Sequence, residues 1–214
     1  MPATETSPRA TPPTPTLTRH DPPDTRGVVL LLHGGQQHSS ERVDGRSASW
    51  RRSLLMQRSI TPCAHEAGVA TWLLRYRFRG WNGGTGPVDD ARWALEEVRR
   101  TLGDVPVVLL GHSMGGRTAV HVADDPAVRG VVALAPWLPA DEPVVALAGR
   151  TLTAAHGRRD RITSYEATAA YVERAADVAR EVTMVDMGPV GHYMLRSAAE
   201  WNDVATGAAL DLLA

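Results

Sequence analysis

Residues 105–119 read VPVVLLGHSMGGRTA, and this stretch decides the fold. A β-branched, apolar run up to Leu110 is typical of a buried strand, and it breaks at Gly111. Ser113 follows at a tight turn, and the chain leaves through Gly115 into a segment that is compatible with a helix. The pattern G-x-S-x-G at such a corner predicts a serine at a strained turn, because a crossing strand and helix leave no space for a Cβ on the flanking glycines.

Apolar runs and helix-compatible segments alternate along the chain on both sides of this stretch. The run at 28–32 has no polar residue, which is typical of a parallel strand that helices cover on both faces. The alternation predicts an α/β domain with a mostly parallel sheet of about six or more strands, helices on both faces and a site beyond the carboxyl ends of the strands. Strands are expected at 28–32, 69–77, 105–110, 128–136, 151–157 and 181–187, and helices at 47–67 (with a kink or restart at Pro62), 87–102, 115–123, 164–175 and 195–213.

The composition limits the classes of protein to consider. A chain of 214 residues with 43% hydrophobic residues suffices for one well-buried domain. The net charge of -1 gives no electrostatic reason to expect nucleic acid or an anionic membrane surface as a partner. All 23 basic residues are arginine, so no lysine can form a Schiff base. The single cysteine, Cys63, excludes an internal disulfide and a cysteine-based metal cluster, and we expect it to be buried as a small apolar residue.

The N-terminal segment has a different composition from the rest of the chain. Residues 1–24 are rich in proline and threonine, and they predict a disordered or loosely packed tail ahead of a domain at 25–214. The segment lacks the apolar core of a secretory signal, and the run at 28–32 is far shorter than the roughly 20 residues of a membrane helix. A cytoplasmic protein without membrane contact is therefore expected.

From Gly27 onward the chain resembles an α/β-hydrolase of the serine-nucleophile type. The resemblance rests on four motifs, which are residues 33–35 (HGG), Ser113, Asp160 and His192, and the last three follow the family's chain order of serine, acid and histidine. It is closest to lidless esterases, thioesterases and dienelactone hydrolases. It implies a single-domain, three-layer α/β sandwich without a cap domain. Ser113 matches the nucleophile, which needs a general base because a serine hydroxyl alone is a poor nucleophile.

The same resemblance implies the partners of the nucleophile. His192 follows the last predicted strand, where the family places its general base. Asp160 lies after the fifth strand and matches the acid that would accept the ring N–H of His192, although its arginine neighbours leave open a role as a surface ion-pair partner. Asp141 or Glu142 is the alternative acid, because some family members recruit the acid after the preceding strand.

The oxyanion hole of this family needs two backbone N–H groups. Met114, the residue after the nucleophile, is expected to supply one, and Gly35 or Gln36, after the first strand, is expected to supply the other. No cofactor and no metal is expected, because the sequence has neither a P-loop nor the spacing of a zinc-binding helix. Three further histidines are expected to pack or hydrogen-bond around the site: His33, His112 and His156.

The short connection at 137–150 leaves no room for a cap domain, so an open site is expected. Its walls are expected to include Trp81, Trp137 and Tyr193 as substrate-binding residues. Such a site favours small or medium esters and thioesters. We therefore expect a serine hydrolase that acts on a small acyl substrate as a monomer or homodimer. Two alternatives stay open: a non-catalytic binding or regulatory protein on the same fold, and a C–C hydrolase or perhydrolase with the same triad.

Overall fold

The protein is built around a sheet of seven strands. The computed structural model describes residues 13–214. Within this range the strands lie in the order β1-β3-β2-β4-β5-β6-β7, and all pairs are parallel except the antiparallel pair of β1 and β3. The strands span Thr16–His20 (β1), Gly27–Leu32 (β2), Val69–Arg75 (β3), Val107–His112 (β4), Val128–Leu134 (β5), Thr151–His156 (β6) and Glu181–Asp186 (β7).

Five helices cover the two faces of the sheet. The predicted helices are all present, with ends that differ by up to three residues from the expected ones. Buried residues of α2, α3 and α4 pack on one face, and those of α1 and α5 pack on the other, which gives three layers. The helices span Ala48–Glu66 (α1), Thr85–Leu102 (α2), Met114–His121 (α3), Tyr165–Ala175 (α4) and Ala198–Asp211 (α5).

Burial of the central strands explains why their sequences are almost entirely apolar. Every residue of β2 and of β4 is buried. Val28 and Leu30 of β2 belong to the core beneath α2, α3 and α4, whereas Val29 and Leu31 belong to the core beneath α1 and α5. Alternate side chains therefore enter opposite cores, as expected for a strand between two helical layers.

The expectation of an unordered tail over residues 1–24 is wrong for Thr16–His20, which form β1. This strand closes the open edge of β3, and its backbone pairing does not depend on an apolar sequence. Arg19 packs over the ring of Trp72, with its guanidinium carbon 4.2 Å from the ring centroid. Residues 1–12, which the same expectation covers, lie outside the described residues.

Helix α1 is continuous at Pro62 and differs from expectation at the adjacent position. It runs through Pro62 without a restart, although a proline inside a helix removes one backbone hydrogen bond. Cys63 is exposed, so its expected burial is wrong. The buried positions of the helix include Ile60 and Ala64, and Cys63 lies one residue out of that phase.

The connection after β5 is short, as expected. Its only helical part in the described structure is a single 3₁₀ turn at Val145–Leu147. The chain then enters β6 at Thr151, so no cap domain is inserted at this point. The carboxyl ends of the central strands are consequently left uncovered, and the loops that follow them carry the site.

Candidate active site

Ser113 lies at the corner between β4 and α3, in a backbone conformation that residues with side chains rarely adopt. Its φ is 56° and its ψ is -117°. The flanking glycines make this corner possible. A Cβ on Gly111 would meet the backbone of Gly115 at about 2.5 Å, and a Cβ on Gly115 would overlap the carbonyl oxygen of Leu32. The predicted lack of space for a Cβ is therefore confirmed at both positions, although at Gly115 the obstacle is the neighbouring strand β2.

His192 contacts Ser113 from the loop that follows β7. Its Nε2 lies 3.0 Å from the Ser113 Oγ, and both residues are buried, at 6% and 7% exposure. The backbone of His192 is held by the elbow, which is the strand-to-helix corner at residues 111–115, because Nε2–H of His112 donates to the His192 carbonyl oxygen at 3.0 Å. The two imidazole rings lie against each other, with 4.9 Å between their centroids.

Asp160 completes the contact on the other side of the His192 ring. The Oδ2 of Asp160 lies 2.7 Å from His192 Nδ1, and the Asp160 side chain is 1% exposed. The backbone N–H groups of Ile162 and Thr163 donate to its Oδ1 at 2.7 and 3.0 Å, and the Thr163 hydroxyl donates to Oδ2 at 2.9 Å. Nε2 of His156 lies 3.2 Å from the same oxygen.

These contacts set the charge of the carboxyl group. Burial alone would raise the pKa of Asp160, but the hydrogen bonds from His156, His192 and the backbone of Thr163 and Ile162 outweigh it and hold the pKa well below its usual range. Asp160 is therefore a carboxylate at neutral pH, and it faces the ring N–H of His192. Thr163 has no recognisable sequence signal, because its contribution depends on the turn after Asp160.

The other acids considered from the sequence are used elsewhere. Glu142 is fully buried and pairs with Arg117 (2.5 Å) and with His121. Asp141 is exposed. The described hydrogen bonds of the His192 side chain include neither residue.

The loop after β2 brings the predicted oxyanion residues next to the elbow. The backbone N–H of Gln36 donates to the carbonyl oxygen of Arg79 at 2.8 Å, so it is already used. The N–H groups of Gly35 and Met114 have no acceptor among the described residues. Gly35 lies so close to Met114 that an added Cβ would be 2.5 Å from the Met114 sulfur.

Buried neutral histidines support this loop and the elbow. Nδ1–H of His33 donates to the carbonyl oxygen of Gly34 at 2.6 Å, and burial lowers the pKa of His33 to about 4. Burial and the neighbouring His192 lower the pKa of His112 to about 3. Both rings are therefore neutral at pH 7, in agreement with the expectation that they pack and hydrogen-bond around the site.

An open cavity of about 320 Å³ lies over Ser113. Tyr193, which we expected to bind substrate, lines it, whereas Trp81 and Trp137 do not. The two tryptophan rings instead enclose the guanidinium of Arg117, with 4.3 and 4.4 Å from its central carbon to their centroids. The cavity wall also contains residues that the sequence did not single out, among them Ser47, Ala48, Ser49, Arg52, Arg79 and Ile162.

Residues 13–214 contain neither a metal-binding cluster nor a membrane-spanning helix. No cluster of three or more histidine, cysteine, aspartate or glutamate residues there has the arrangement of a metal site. None of the helices in this range is both long and apolar enough to cross a membrane.

The sequence profile of the alpha/beta hydrolase family matches residues 29–212. The chain belongs to the alpha/beta hydrolase family. No curated protein matches the sequence. Many solved structures share the fold of this alpha/beta hydrolase. The three that follow are each under 25% identical to it, so they show a shared fold and nothing finer.

Three of these structures have TM-scores between 0.65 and 0.72 against this chain. An alpha-beta serine hydrolase homologue from Coxiella burnetii is 17% identical, with a TM-score of 0.72 and 91% of each chain covered. A serine hydrolase without lid from Xanthomonas campestris is 19% identical, with a TM-score of 0.65 and coverage of 93% of this chain and 88% of that one. Est1E from Butyrivibrio proteoclasticus, with ferulic acid bound, is 14% identical, with a TM-score of 0.67 and coverage of 93% and 95%.

Proposed function

We propose that the protein is a serine hydrolase that cleaves small to medium acyl esters or thioesters through an acyl-enzyme intermediate. The observation that carries this proposal is a continuous line of hydrogen bonds. It runs from Ser113 Oγ to His192 Nε2 (3.0 Å) and from His192 Nδ1 to Asp160 Oδ2 (2.7 Å). A nucleophile, a base and an orienting carboxylate in this order are what acyl transfer requires.

In the first step, the Ser113 hydroxyl oxygen adds to the acyl carbonyl carbon while His192 takes its proton. The tetrahedral intermediate then expels the alcohol or thiol, which leaves with the proton from His192. A water molecule, deprotonated by the same ring, attacks the acyl-serine and releases the carboxylic acid and free Ser113. Asp160 holds the ring with Nε2 towards the serine and stabilises the imidazolium that forms in each half-reaction.

Two free backbone donors support this chemistry. The N–H groups of Gly35 and Met114 have no acceptor among the described residues, whereas that of Gln36 is used by Arg79. We therefore assign the oxyanion hole to Gly35 and Met114. Preorganised donors of this kind contribute roughly 3 kcal/mol each to transition-state stabilisation.

The limit on substrate size comes from the cavity. A volume of about 320 Å³ lies at the lower end of small-molecule sites. Its rim is open, because Ile162 and Tyr193 are 60% and 50% exposed and no cap domain follows β5. A short acyl chain fits these dimensions, and a leaving group can extend into solvent.

Turnover of p-nitrophenyl acetate and butyrate, and of the matching thioesters, tests the proposal. Ser113→Ala is expected to reduce kcat by several orders of magnitude, whereas Ser59→Ala, an exposed serine on α1, is the matched control and should retain wild-type kcat. Hydrolysis that Ser113→Ala leaves unchanged would show that the activity belongs elsewhere. Wild-type protein that hydrolyses none of these substrates would favour a binding function.

A further inference from the structure

The cavity over Ser113 has an uneven charge distribution. Thirteen residues line it, and none of them is an aspartate or a glutamate. Two of them, Arg52 and Arg79, carry guanidinium groups. The whole chain has a net charge of -1, so this positive lining is a local property of the cavity.

The two arginines differ in how far their charge is already compensated. Arg79 pairs with Glu41 at 2.6 Å and with Asp44 at 3.5 Å. Arg52 takes part in none of the ion pairs found within residues 13–214. Its Nε is buried and has no hydrogen-bond partner there. A half-buried guanidinium without a carboxylate is unusual, because removing the charge from water carries a cost that a partner normally offsets.

Packing holds the Arg52 side chain in place without satisfying its donors. The guanidinium carbon lies 4.7 Å from the centroid of the Tyr193 ring, a distance typical of a cation–π contact. Tyr193 directly follows His192 in the chain. The Arg52 guanidinium therefore lies in the wall of the cavity that also contains Ser113, and a planar guanidinium presents its donors in the geometry that a carboxylate accepts.

The same wall contains the first turn of α1. Ser47, Ala48 and Ser49 line the cavity, and the Ser47 side chain does not cap the helix but bonds to Asp44. No acidic residue lies in the first turn. The Asp44 carboxylate at this helix start offsets the partial positive charge there, so the positive charge of this wall comes mainly from Arg52.

We infer that the substrate is an ester that carries a carboxylate, and that Arg52 binds this group while Ser113 attacks the ester carbonyl. A singly charged carboxylate fits better than a phosphate dianion, because Arg52 is the one arginine of the lining without an acidic partner among residues 13–214. Arg52 thus determines specificity, and Tyr193 positions it. The inference rests on the proposed serine hydrolase function.

The test compares charged and neutral esters of equal size. In one pair the carboxylate is in the acyl part, with mono-p-nitrophenyl adipate against p-nitrophenyl hexanoate. In the other it is in the leaving group, with the butyryl ester of meta-hydroxybenzoate against the butyryl ester of meta-methylphenol. We expect kcat/KM of the wild type to favour the charged ester about tenfold or more in one pair, which identifies the part that meets Arg52.

Variants then connect the preference to Arg52. Arg52→Gln should remove the preference, Arg52→Lys should retain part of it, and Arg52→Glu should favour a trimethylammonium ester over its neutral match. Arg51→Gln is the control, because Arg51 is an exposed arginine on the same helix that does not line the cavity. The preference should also weaken as salt is raised.

Failure of this inference can be told apart from failure of the proposed function. An active enzyme without preference in either pair, or one whose preference survives Arg52→Gln, would overturn the role of Arg52 alone. Labelling of Ser113 by a fluorophosphonate checks that each variant is folded at the site. A wild type that is neither labelled nor active on any ester would overturn both.

Discussion

The two buried histidines beside the site should make the stability of the protein depend on pH. Burial lowers the pKa of His33 to about 4 and that of His112 to about 3, whereas in the unfolded chain both titrate near 6.5. Below about pH 6.5 the unfolded chain therefore binds a proton at each position that the folded protein excludes. The stability that the protein gains from keeping the two histidines neutral is expected to be fully present above this pH. It should fall as the pH decreases towards the pKa values in the folded protein.

The size of the effect follows from these shifts. The pKa of each histidine in the unfolded chain lies about 1.5 units above pH 5, and one pKa unit corresponds to about 1.4 kcal/mol. At pH 5 each residue should therefore reduce the free energy of unfolding by about 2 kcal/mol relative to pH 8. His112→Gln keeps an N–H donor for the His192 carbonyl but cannot be protonated. The loss from pH 8 to pH 5 should therefore be smaller in this variant by about 2 kcal/mol, and His33→Gln should give a similar difference.

Urea unfolding at both pH values measures this directly. The midpoint should move while the m-value stays constant, since a change in m would mean that a different unfolding reaction is observed. The comparison uses the change with pH, so any loss of packing in the variant cancels between the two conditions. A variant that loses as much stability as the wild type between pH 8 and pH 5 would refute the assignment of a neutral, buried His112.

Three further substitutions test separate parts of the site. Asp160→Asn should lower kcat by about 10³–10⁴-fold in an ester assay, because the uncharged amide no longer stabilises the imidazolium, and a loss below tenfold would contradict this. Gly35→Ala should lower kcat by about 10²–10³-fold because its Cβ would displace the oxyanion loop, whereas Gly45→Ala, with open space around it, should retain activity. Glu142→Ala should cost about 3 kcal/mol of unfolding free energy, because it leaves the largely buried Arg117 unpaired, against at most about 1 kcal/mol for the exposed Glu41→Ala. Equal costs would contradict the stabilising role of the Glu142 ion pair.

The elbow could be predicted from sequence because its G-x-S-x-G pattern lies within five residues. The overlap that excludes a Cβ on Gly111 arises within the strand-to-helix turn, whereas the overlap at Gly115 is with Leu32 of the neighbouring strand β2. His192 and Asp160 could be placed beside Ser113 for a different reason. Each follows a strand of a parallel sheet, and the carboxyl ends of such strands meet at one edge.

Other features depend on contacts between distant parts of the chain. Arg52 carries no local signal, since it is one of 23 arginines and reaches the cavity only through the placement of α1. Trp81 and Trp137 follow the correct strands, yet their rings enclose Arg117 away from the cavity. Strand β1 escaped prediction because an antiparallel edge strand needs only backbone pairing and partial burial.

Covalent labelling of Ser113 tests most directly whether this serine is a nucleophile that His192 activates. The folded protein is treated with a fluorophosphonate, and intact-mass analysis with peptide mapping locates the adduct. We expect a single adduct on Ser113, no adduct in Ser113→Ala, and much slower labelling in His192→Ala, because the ring that removes the serine proton is gone. Absence of an adduct on Ser113 in folded protein, or labelling at the same rate without His192, would contradict this expectation.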